Sequence, residues 1–334
     1  MAYDANVLRR ATERLDRERR ERQERTERLR ALAYSRQPAL EKLDRELQGT
    51  MAQLVAAALR QGEDPAQAVR QVRDRNLALQ RERAGLLADL GLAEDALDDR
   101  PACPLCNDTG WQGAKMCRCL QELCTQEQIA ELSKLLDLGE QSFETFQVDY
   151  YSDVYWPDKG TSPRERMEMI KDICYNYAVK FDRFFTKNLF LSGPPGLGKT
   201  FLSACIARTV SEGGHSVVYD TAANIFAQFE ARKFQRDSQD GQEARDETRR
   251  YLNCDLLILD DLGSELTTQF TQSVLYELIN ARLVAGRHTV ISSNLSMEEA
   301  ARRYSPQIAS RLEGEYHVLH FFGEDIRLLK KNRL

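Results

Sequence analysis

The chain has 334 residues, which is enough for two or three domains with a substantial core. Charged residues make up 30% of it and the formal net charge is -5, so no global basic field indicates nucleic acid and any such contact must be local. The sequence contains no long uninterrupted apolar run and no apolar signal region near its Arg/Glu-rich start. We therefore expect neither a membrane span nor a secretory signal, no contact with a membrane, and a cytoplasmic location.

The first segment is predicted to be a solvated helix. Residues 7–34 are dominated by Arg and Glu, and no large apolar residue occurs between Leu15 and Leu29. Favourable i,i+4 pairs of Glu and Arg recur along it and stabilise an exposed helix. The alternative is an arm that binds nucleic acid, but the glutamates nearly cancel the arginines, which favours the solvated helix.

Two further helices are predicted to form an antiparallel hairpin. Pro38 opens the first, whose apolar residues recur at the helical period. A turn at residues 62–65 follows, and the second helix runs from about Ala66 to Leu90 with heptad-like spacing and two polar interruptions. The apolar stripe could pack within the hairpin or receive another protein.

A cysteine cluster follows the helices. Five of the eight cysteines lie within Cys103 to Cys124, and in a reducing compartment such clustering indicates a metal site rather than disulfides. The pattern C-x2-C-x10-C-x-C fits a closed, structural Zn²⁺ site formed by four thiolates. The C-x-C pair is tighter than usual, so Cys124 could replace one member of it, and a redox dithiol is a further alternative. The predicted zinc ligands are Cys103, Cys106, Cys117 and Cys119.

A phosphate-binding loop is predicted at residues 193–200, where the sequence fits G-x-x-x-x-G-K-[ST] between an apolar strand and an apolar-periodic helix. Glycines let backbone N–H groups wrap a phosphate, and the helix adds its free amides and the positive end of its dipole. Lys199 would bring positive charge to the β- and γ-phosphates, and Thr200 a hydroxyl ligand for Mg²⁺. The residues predicted to contact the nucleotide here are Gly193, Pro194, Pro195, Gly196, Leu197, Gly198, Lys199, Thr200 and Phe201.

Acidic residues follow a second predicted strand. Residues 256–259 are all apolar, as expected of a strand covered on both faces, and Asp260 and Asp261 come at its carboxyl end. Asp260 would hold Mg²⁺ through water, and Asp261 would orient or activate the attacking water. Together with the phosphate loop, this strand predicts a nucleoside triphosphate site.

Several other residues are candidates for the same site. Asn294 ends a third predicted strand, 289–293, where its amide could bind the γ-phosphate or the attacking water; the alternative is a helix cap, but Ser296 is better placed to cap. Phe143 and Phe146 are expected in the core, unless one of them lines an adenine pocket. Arg311 and Arg327 are isolated arginines further along the chain.

From about Cys103 onwards, the chain resembles the AAA+ ATPases, and specifically the DnaC/DnaI-type bacterial helicase loaders and their IstB-type transposition relatives. The segments that carry the resemblance are GPPGLGKTFLSACIA, LLILDDLG followed by Ser264 and Glu265, SSN at 292–294 and SRL at 310–312. The CPLCNDTG…CRC module looks like the zinc-bearing region of the Gram-positive loaders.

The resemblance implies an α/β fold: an AAA+ P-loop core with a parallel sheet flanked by helices, preceded by an α-helical region and a small zinc module. No C-terminal lid is expected, because few residues follow the last predicted strand, Val318 to Phe322. The implied domains are residues 1–100, the Cys-rich module and linker at 101–140, and the ATPase domain at 141–334. Asn294 is implied to be the sensor-1 residue, Arg311 an arginine finger that completes a neighbour's site, and Arg327 a sensor-2 candidate.

The implied activity is an ATPase with ATP, Mg²⁺ and Zn²⁺ as cofactors. It would load a hexameric DnaB-type replicative helicase during initiation of DNA replication, bind single-stranded DNA, assemble with copies of itself as a hexamer or spiral, and be released on hydrolysis. Asp261 stands where most AAA+ proteins have glutamate, which suggests slow, switch-like turnover. An arginine finger from a neighbour, Arg311, would make hydrolysis depend on assembly. The alternatives are an IstB-type ATPase that assists a transposase and an adaptor that binds ATP without hydrolysing it.

DNA contacts are implied for the span from Thr221 to Arg250, which lies before the acidic strand. The basic residues there with a possible role at the DNA backbone are Lys233, Arg236, Arg249 and Arg250. Acidic neighbours make an ordinary charged surface the alternative.

Overall fold

The computed structural model describes residues 3–58, 65–136, 141–234 and 239–332. It contains two compact units, one of Thr12–Cys117 and a larger one of Met1–Ala11 with Arg118–Leu334. Among the helices in these ranges, none has the length and apolar character needed to cross a membrane. The domain boundaries at residues 100 and 140 stay predictions.

The smaller unit is mainly helical. Helix α1 (Ala5–Arg36) continues into this unit from the larger one, and α2 (Pro38–Ala58) and α3 (Pro65–Asp89) pack against each other, as the hairpin prediction required. The predicted turn between them lies mostly outside the described residues. A two-stranded hairpin follows, β1 (Trp111–Gln112) with β2 (Lys115–Met116). The core of the unit contains Ala33, Leu40, Leu87 and Leu97.

The larger unit is built on a five-stranded sheet in which every paired neighbour is parallel. The order is β4-β5-β6-β3-β7, so β6 lies between the strand before the phosphate loop and the acidic strand. This sheet and its flanking helices confirm the predicted α/β fold class. The strands are β3 (Asn188–Ser192), β4 (Val217–Thr221), β5 (Leu256–Leu262), β6 (His288–Ser293) and β7 (His317–His320).

Helices cover both faces of the sheet because successive residues in a strand point to opposite sides. Leu256 and Ile258 of β5 belong to one apolar cluster, whereas Leu257 and Leu259 belong to the other. The uninterrupted apolar run in β5 is therefore buried on both faces, as predicted. The helices of this unit are α4 (Arg118–Leu136), α5 (Pro163–Val179), α6 (Lys199–Glu212), α7 (Ala222–Phe234), α8 (Gln239–Asn253), α9 (Gln269–Val284), α10 (Met297–Arg303), α11 (Pro306–Glu315) and α12 (Ile326–Asn332).

Candidate nucleotide-binding site

The phosphate loop connects the end of β3 to the start of α6. Gly198 is the N-cap of α6 with φ 84° and Gly193 has φ 147°, both in the region that favours glycine. A Cβ at Gly193 would lie 2.3 Å from the carbonyl oxygen of Phe321, so no other residue fits there without a shift of the backbone. The Tyr151 hydroxyl donates to the carbonyl of Leu197 at 3.0 Å and holds the loop from outside.

Lys199 points back across its own loop. Its Nζ donates to the carbonyls of Gly193 at 2.6 Å and Pro194 at 2.8 Å, and to Oδ1 of Asn294 at 2.8 Å. The side chain is buried, and this burial lowers the pKa of Lys199 to about 8 despite the opposing effect of nearby Asp260. The ammonium group is therefore fixed where backbone carbonyls and a side-chain amide converge.

Asp260 is the buried acidic residue of the site, with 5% of it exposed. Its Oδ2 accepts hydrogen bonds from Thr200 Oγ1 at 3.1 Å and from the Tyr219 hydroxyl at 2.6 Å, and its Oδ1 accepts one from Ser292. Thr200 and Asp260, the two predicted magnesium ligands, are thus adjacent. Carboxylate and hydroxyl oxygens are ligands that suit Mg²⁺, so these residues fit the metal.

Asp261 has a left-handed backbone, with φ 57°. The pairing of β5 with β6 shifts between Leu259 and Leu262, which places both aspartates at an irregularity of the ladder. The Asp261 N–H donates to Ser292 Oγ at 3.1 Å, and its Oδ1 accepts from Asn294 Nδ2 at 2.9 Å. A non-glycine residue in this conformation costs on the order of 1 kcal/mol, and such strain clusters at functional sites.

Asn294 joins Lys199 to Asp261 through the two ends of its amide group. Helix α10 begins after it, and Ser296 is the N-cap with a complete capping box to Glu299. The helix therefore has the cap that the sequence predicted, and the Asn294 side chain engages the site instead.

A cavity of ≈ 1200 Å³ is lined by Lys199, Thr200, Asp260, Asp261, Ser292 and Asn294, among other residues. Phe143 and Phe146 are both buried in the core, and Phe146 also lines this cavity, with its ring 5.3 Å from that of Phe201. Arg327 and Lys330 line it from the C-terminal helix α12. Phe146 is thus a core residue that also lines the cavity, and its contact with adenine stays a prediction.

Arg311 lies on α11 and is not among the residues that line this cavity. Its guanidinium group is 5.2 Å from the centre of the Tyr276 ring and donates to the Tyr276 hydroxyl at 3.2 Å. The arginine is therefore held by α9 rather than by the nucleotide site of its own chain.

Two residues of the site, Tyr219 and Ser292, were not singled out from the sequence. Tyr219 ends a short apolar run, Val217 to Tyr219, which is followed by Asp220. The apolar run of β5 is followed by Asp260 in the same way. Because parallel strands end at one edge of a sheet, reading that run as a strand would have placed it beside Asp260.

The four predicted zinc ligands come together. The Sγ atoms of Cys103, Cys106, Cys117 and Cys119 all lie within 4.8 Å of one another, and those of Cys103 and Cys117 are 3.7 Å apart. Four thiolates at Zn–S distances of about 2.3 Å in a tetrahedron give S···S separations of about 3.8 Å, so the residues fit the metal. Cys124 is not in this group, and burial raises the pKa of its thiol to about 11.

A basic cavity of ≈ 670 Å³ lies between α7, α8 and α9. Lys233 Nζ lies 5.0 Å from the centre of the Phe270 ring and 5.2 Å from that of Phe234, which is largely exposed. The cations lining the cavity are Arg232, Lys233, Arg245 and Arg249. Arg236 lies outside the described residues.

Arg250, which the sequence also offered for DNA, is buried in ion pairs. It contacts Glu131 of α4, Glu247 at 3.4 Å and Asp4 at 3.7 Å, and only 16% of its side chain is exposed. These carboxylates raise the pKa of Arg250 above its ordinary value against the effect of burial. We therefore remove Arg250 from the candidates for DNA contact.

Comparison with known proteins confirms the resemblance. Residues 180–333 match the family model described as IstB-like ATP binding protein. YdaV, an uncharacterized protein of Escherichia coli K12, is 29% identical over 125 residues, which cover 37% of this chain and 48% of YdaV. The replicative helicase loader DnaC of the same strain is 26% identical over 136 residues, which cover 41% of this chain and 54% of DnaC.

A putative insertion sequence ATP-binding protein of Sinorhizobium fredii, y4iQ/y4nD/y4sD, is 31% identical over 133 residues, covering 40% of this chain and 42% of that protein. The chain spans about half the length of the curated relatives that it matches. Among solved structures, a crystal structure of the DnaC helicase loader aligns with a TM-score of 0.43 and 19% identity, over 56% of this chain and 99% of that one.

The matched region begins just before β3 and includes the phosphate loop, both aspartates, Asn294 and Arg311. It therefore contains every strand of the five-stranded sheet. Residues 180–333 of this chain are therefore similar to the IstB-like ATP binding proteins.

Proposed function

We propose that this protein is an ATPase that loads a hexameric DnaB-type replicative helicase onto single-stranded DNA during initiation of replication and is released on ATP hydrolysis. The observation that carries the proposal is the hydrogen-bonded connection from Lys199 through Asn294 to Asp261. It joins the lysine expected at the phosphates to the carboxylate expected at the attacking water. Similarity to proteins named replicative helicase loader supports the choice of partner.

The network gives ATP a way to change the site. Lys199 is bound to the Gly193 and Pro194 carbonyls and to Asn294. Phosphate oxygens carry more negative charge than carbonyls, so they compete well for the ammonium group. When the lysine turns to the phosphates, the Asn294 carbonyl loses its donor, while the Asn294 amide stays within reach of Asp261. Binding of phosphate therefore changes the surroundings of Asp261, the residue that we assign to the attacking water.

Thr200 and Asp260 are the residues we assign to Mg²⁺, which neutralises charge on the phosphates when bound. Asp261 orients or activates the attacking water. Its side chain is one methylene shorter than glutamate, which supports slow turnover. These assignments rest on the contacts described above and on the position of both aspartates at the end of β5.

We assign Arg311 to the nucleotide of a neighbouring copy. It lies outside the cavity of its own chain and is already oriented by Tyr276. An arginine supplied by a neighbour makes hydrolysis depend on assembly into a hexamer or spiral. Hydrolysis can then time the release of the helicase.

Single-stranded DNA is assigned to the basic cavity between α7, α8 and α9. Lys233 and Arg249 supply charge for the backbone, and the Phe234 and Phe270 rings supply surfaces on which bases stack. Phe270→Ala should weaken binding of fluorescent single-stranded DNA by about tenfold, since base stacking on an aromatic ring contributes about 1–3 kcal/mol. Tyr175→Ala, an exposed aromatic residue on α5, is the control. Equal binding by both variants would contradict this assignment.

The cysteine group is assigned to structural Zn²⁺. Four thiolates close the coordination sphere, which leaves no position for a substrate. The eight cysteines, all within the described residues, form no disulfide, which supports a reducing compartment and our placement of the protein in the cytoplasm.

A second candidate is an ATPase that assists a transposase. The match to the IstB-like family model and the similarity to insertion sequence ATP-binding proteins favour it. The two functions differ in their DNA: duplex DNA should stimulate the transposition ATPase, and single-stranded DNA the helicase loader.

ATP turnover of the purified protein tests the proposal and separates the candidates. The assay compares no DNA, duplex DNA and single-stranded DNA, each with and without a replicative helicase. A helicase loader should show highest turnover with single-stranded DNA and helicase present. Turnover that equals the background of Lys199→Ala in every condition would contradict the proposal and favour an adaptor that only binds ATP.

A further inference from the structure

The Asp260 carboxylate is held by hydroxyl groups from three different elements. Thr200 belongs to α6, Tyr219 to β4 and Ser292 to β6. The strand that carries Asp260, β5, lies between β4 and β6. The carboxylate is therefore bound from the strands on both sides of it as well as from the phosphate loop helix.

Thr200 belongs to the phosphate-loop motif and Ser292 to the SSN segment, whereas Tyr219 belongs to neither. Thr200 follows the phosphate lysine, and its hydroxyl is expected at Mg²⁺ rather than committed to the carboxylate. Tyr219 and Ser292 have no such second role. If Thr200 binds a metal ion, the Tyr219 and Ser292 hydroxyls are the contacts that continue to orient Asp260.

Tyr219 has the more informative position of the two. Its hydroxyl binds Oδ2, the same oxygen that Thr200 contacts, at 2.6 Å. In the pairing of β4 with β5, Tyr219 lies opposite Ile258, and Thr221 lies opposite Asp260. The Tyr219 side chain therefore extends along the sheet to Asp260, two residues beyond its own partner. Side chains two residues apart share a face, which makes this reach possible.

Tyr219 secures one side of the carboxylate, since its hydroxyl donates to Oδ2. Ser292 secures the other side, since its hydroxyl donates to Asp260 and accepts the N–H of Asp261. Rotation of the carboxylate would break one or both of these bonds.

We propose that Tyr219 is a positioning residue for the magnesium site: its hydroxyl fixes the Asp260 carboxylate beside the Thr200 hydroxyl, and these two groups would hold the metal. This proposal rests on the proposed nucleotide function. A hydroxyl that holds a metal-binding carboxylate affects nucleotide binding only when the metal is present. A hydroxyl that merely supports the sheet affects binding with and without metal alike.

The test compares two tyrosines whose hydroxyls each donate to an aspartate, one to Asp260 and the other to Asp220. Tyr219→Phe removes the hydroxyl and keeps the ring. The matched control is Tyr251→Phe, because the Tyr251 hydroxyl donates to Asp220 Oδ2 at 2.7 Å, whereas the Tyr219 hydroxyl donates to Asp260. Ser292→Ala probes the same carboxylate from the opposite strand. A fluorescent ATP analogue is titrated into each full-length variant in Mg²⁺ and in EDTA, with thermal melts to verify folding.

Tyr219→Phe should weaken binding in Mg²⁺ by about fivefold, the equivalent of one net hydrogen bond, and leave binding in EDTA unchanged. Ser292→Ala should behave in the same way, and Tyr251→Phe like the unmodified protein. Equal Mg²⁺ dependence in Tyr219→Phe and the unmodified protein, or an equal loss in EDTA, would overturn the proposal. If the unmodified protein binds no nucleotide in either buffer, the proposed function itself fails, and this inference fails with it.

Discussion

The Lys199 ammonium group donates a hydrogen bond to Oδ1 of Asn294 at 2.8 Å. This bond fixes the orientation of the amide, so that its Nδ2 faces Asp261 at 2.9 Å. One side chain thus links the phosphate loop to the acidic end of β5. We infer that Asn294 transmits the presence of phosphate to the residue that handles water.

Asn294→Ala should leave ATP affinity near that of the unmodified protein and reduce turnover by about tenfold or more, because one hydrogen-bond donor is lost at the reacting group. Single-turnover hydrolysis and nucleotide binding separate the two effects. The control is Ser296→Ala, which removes the cap of α10 and should cost about 1 kcal/mol of stability without slowing turnover. The coupling role of Asn294 is untenable if both variants hydrolyse ATP alike.

Lys199→Ala should lose most of the ATP affinity while the fold stays intact, because the lysine is the buried cation that lines the phosphate loop. Calorimetry measures the affinity, and circular dichroism verifies the fold. Lys187→Ala, which removes an exposed bond to the Gly286 carbonyl, should bind ATP normally. An unchanged affinity in Lys199→Ala would contradict the assignment of the phosphate loop.

Arg311→Ala should bind ATP normally but lose the hydrolysis that appears on assembly, with an effect of about a thousandfold if the arginine acts as a finger. Arg302→Ala, an exposed arginine of α10, is the control. Mixing Arg311→Ala with Lys199→Ala subunits should restore part of the activity, since each supplies what the other lacks. If the mixture stays inactive, and Arg311→Ala also lowers the hydrolysis by isolated subunits, then Arg311 acts on the nucleotide of its own chain.

The cysteine group should hold about one zinc ion per chain by elemental analysis. Cys103→Ser should lose the metal, and Cys124→Ser should retain it, because only the first lies in the group of four. Chelation should unfold the short hairpin of β1 and β2, which lies between Cys106 and Cys117. Equal zinc content in both variants would show that the ligand set is wrong.

His288 should make the fold sensitive to acid. Burial lowers the pKa of His288 from 6.5 to about 4, where it packs on Phe181. Between pH 6.5 and about 4, the unfolded chain is therefore protonated at His288 while the folded chain is not. The contribution of neutral His288 to stability is present above pH 6.5 and is lost as pH falls towards 4. His288→Gln should flatten the dependence of the free energy of unfolding on pH across this window. Identical slopes for both proteins would refute the assignment.

The parts of the fold that the sequence predicted depend on local patterns. The apolar run of β5, the phosphate loop before α6 and the Ser296 cap each lie within a few consecutive residues, and the described structure has all three. The cysteine spacing predicted the group of four, although it left Cys124 open.

What could not be predicted depends on distant residues. The burial of Arg250 follows from Glu131, 119 positions away in the chain, and the role of Tyr219 from Asp260, 41 positions away. Charge and periodicity around Arg250 are those of any exposed helix. Only the ion pairs of Arg250 with Glu131 of α4 and with Asp4 show that its guanidinium group is held inside the protein.

Co-purification with the replicative helicase of its host tests the central claim most directly. The full-length protein and Lys199→Ala are each mixed with the hexameric helicase in ATP, in ADP and without nucleotide, and the complexes are separated by size-exclusion chromatography. A helicase loader should form a complex whose amount depends on the nucleotide for the unmodified protein and not for Lys199→Ala. No complex in any nucleotide state would contradict the account.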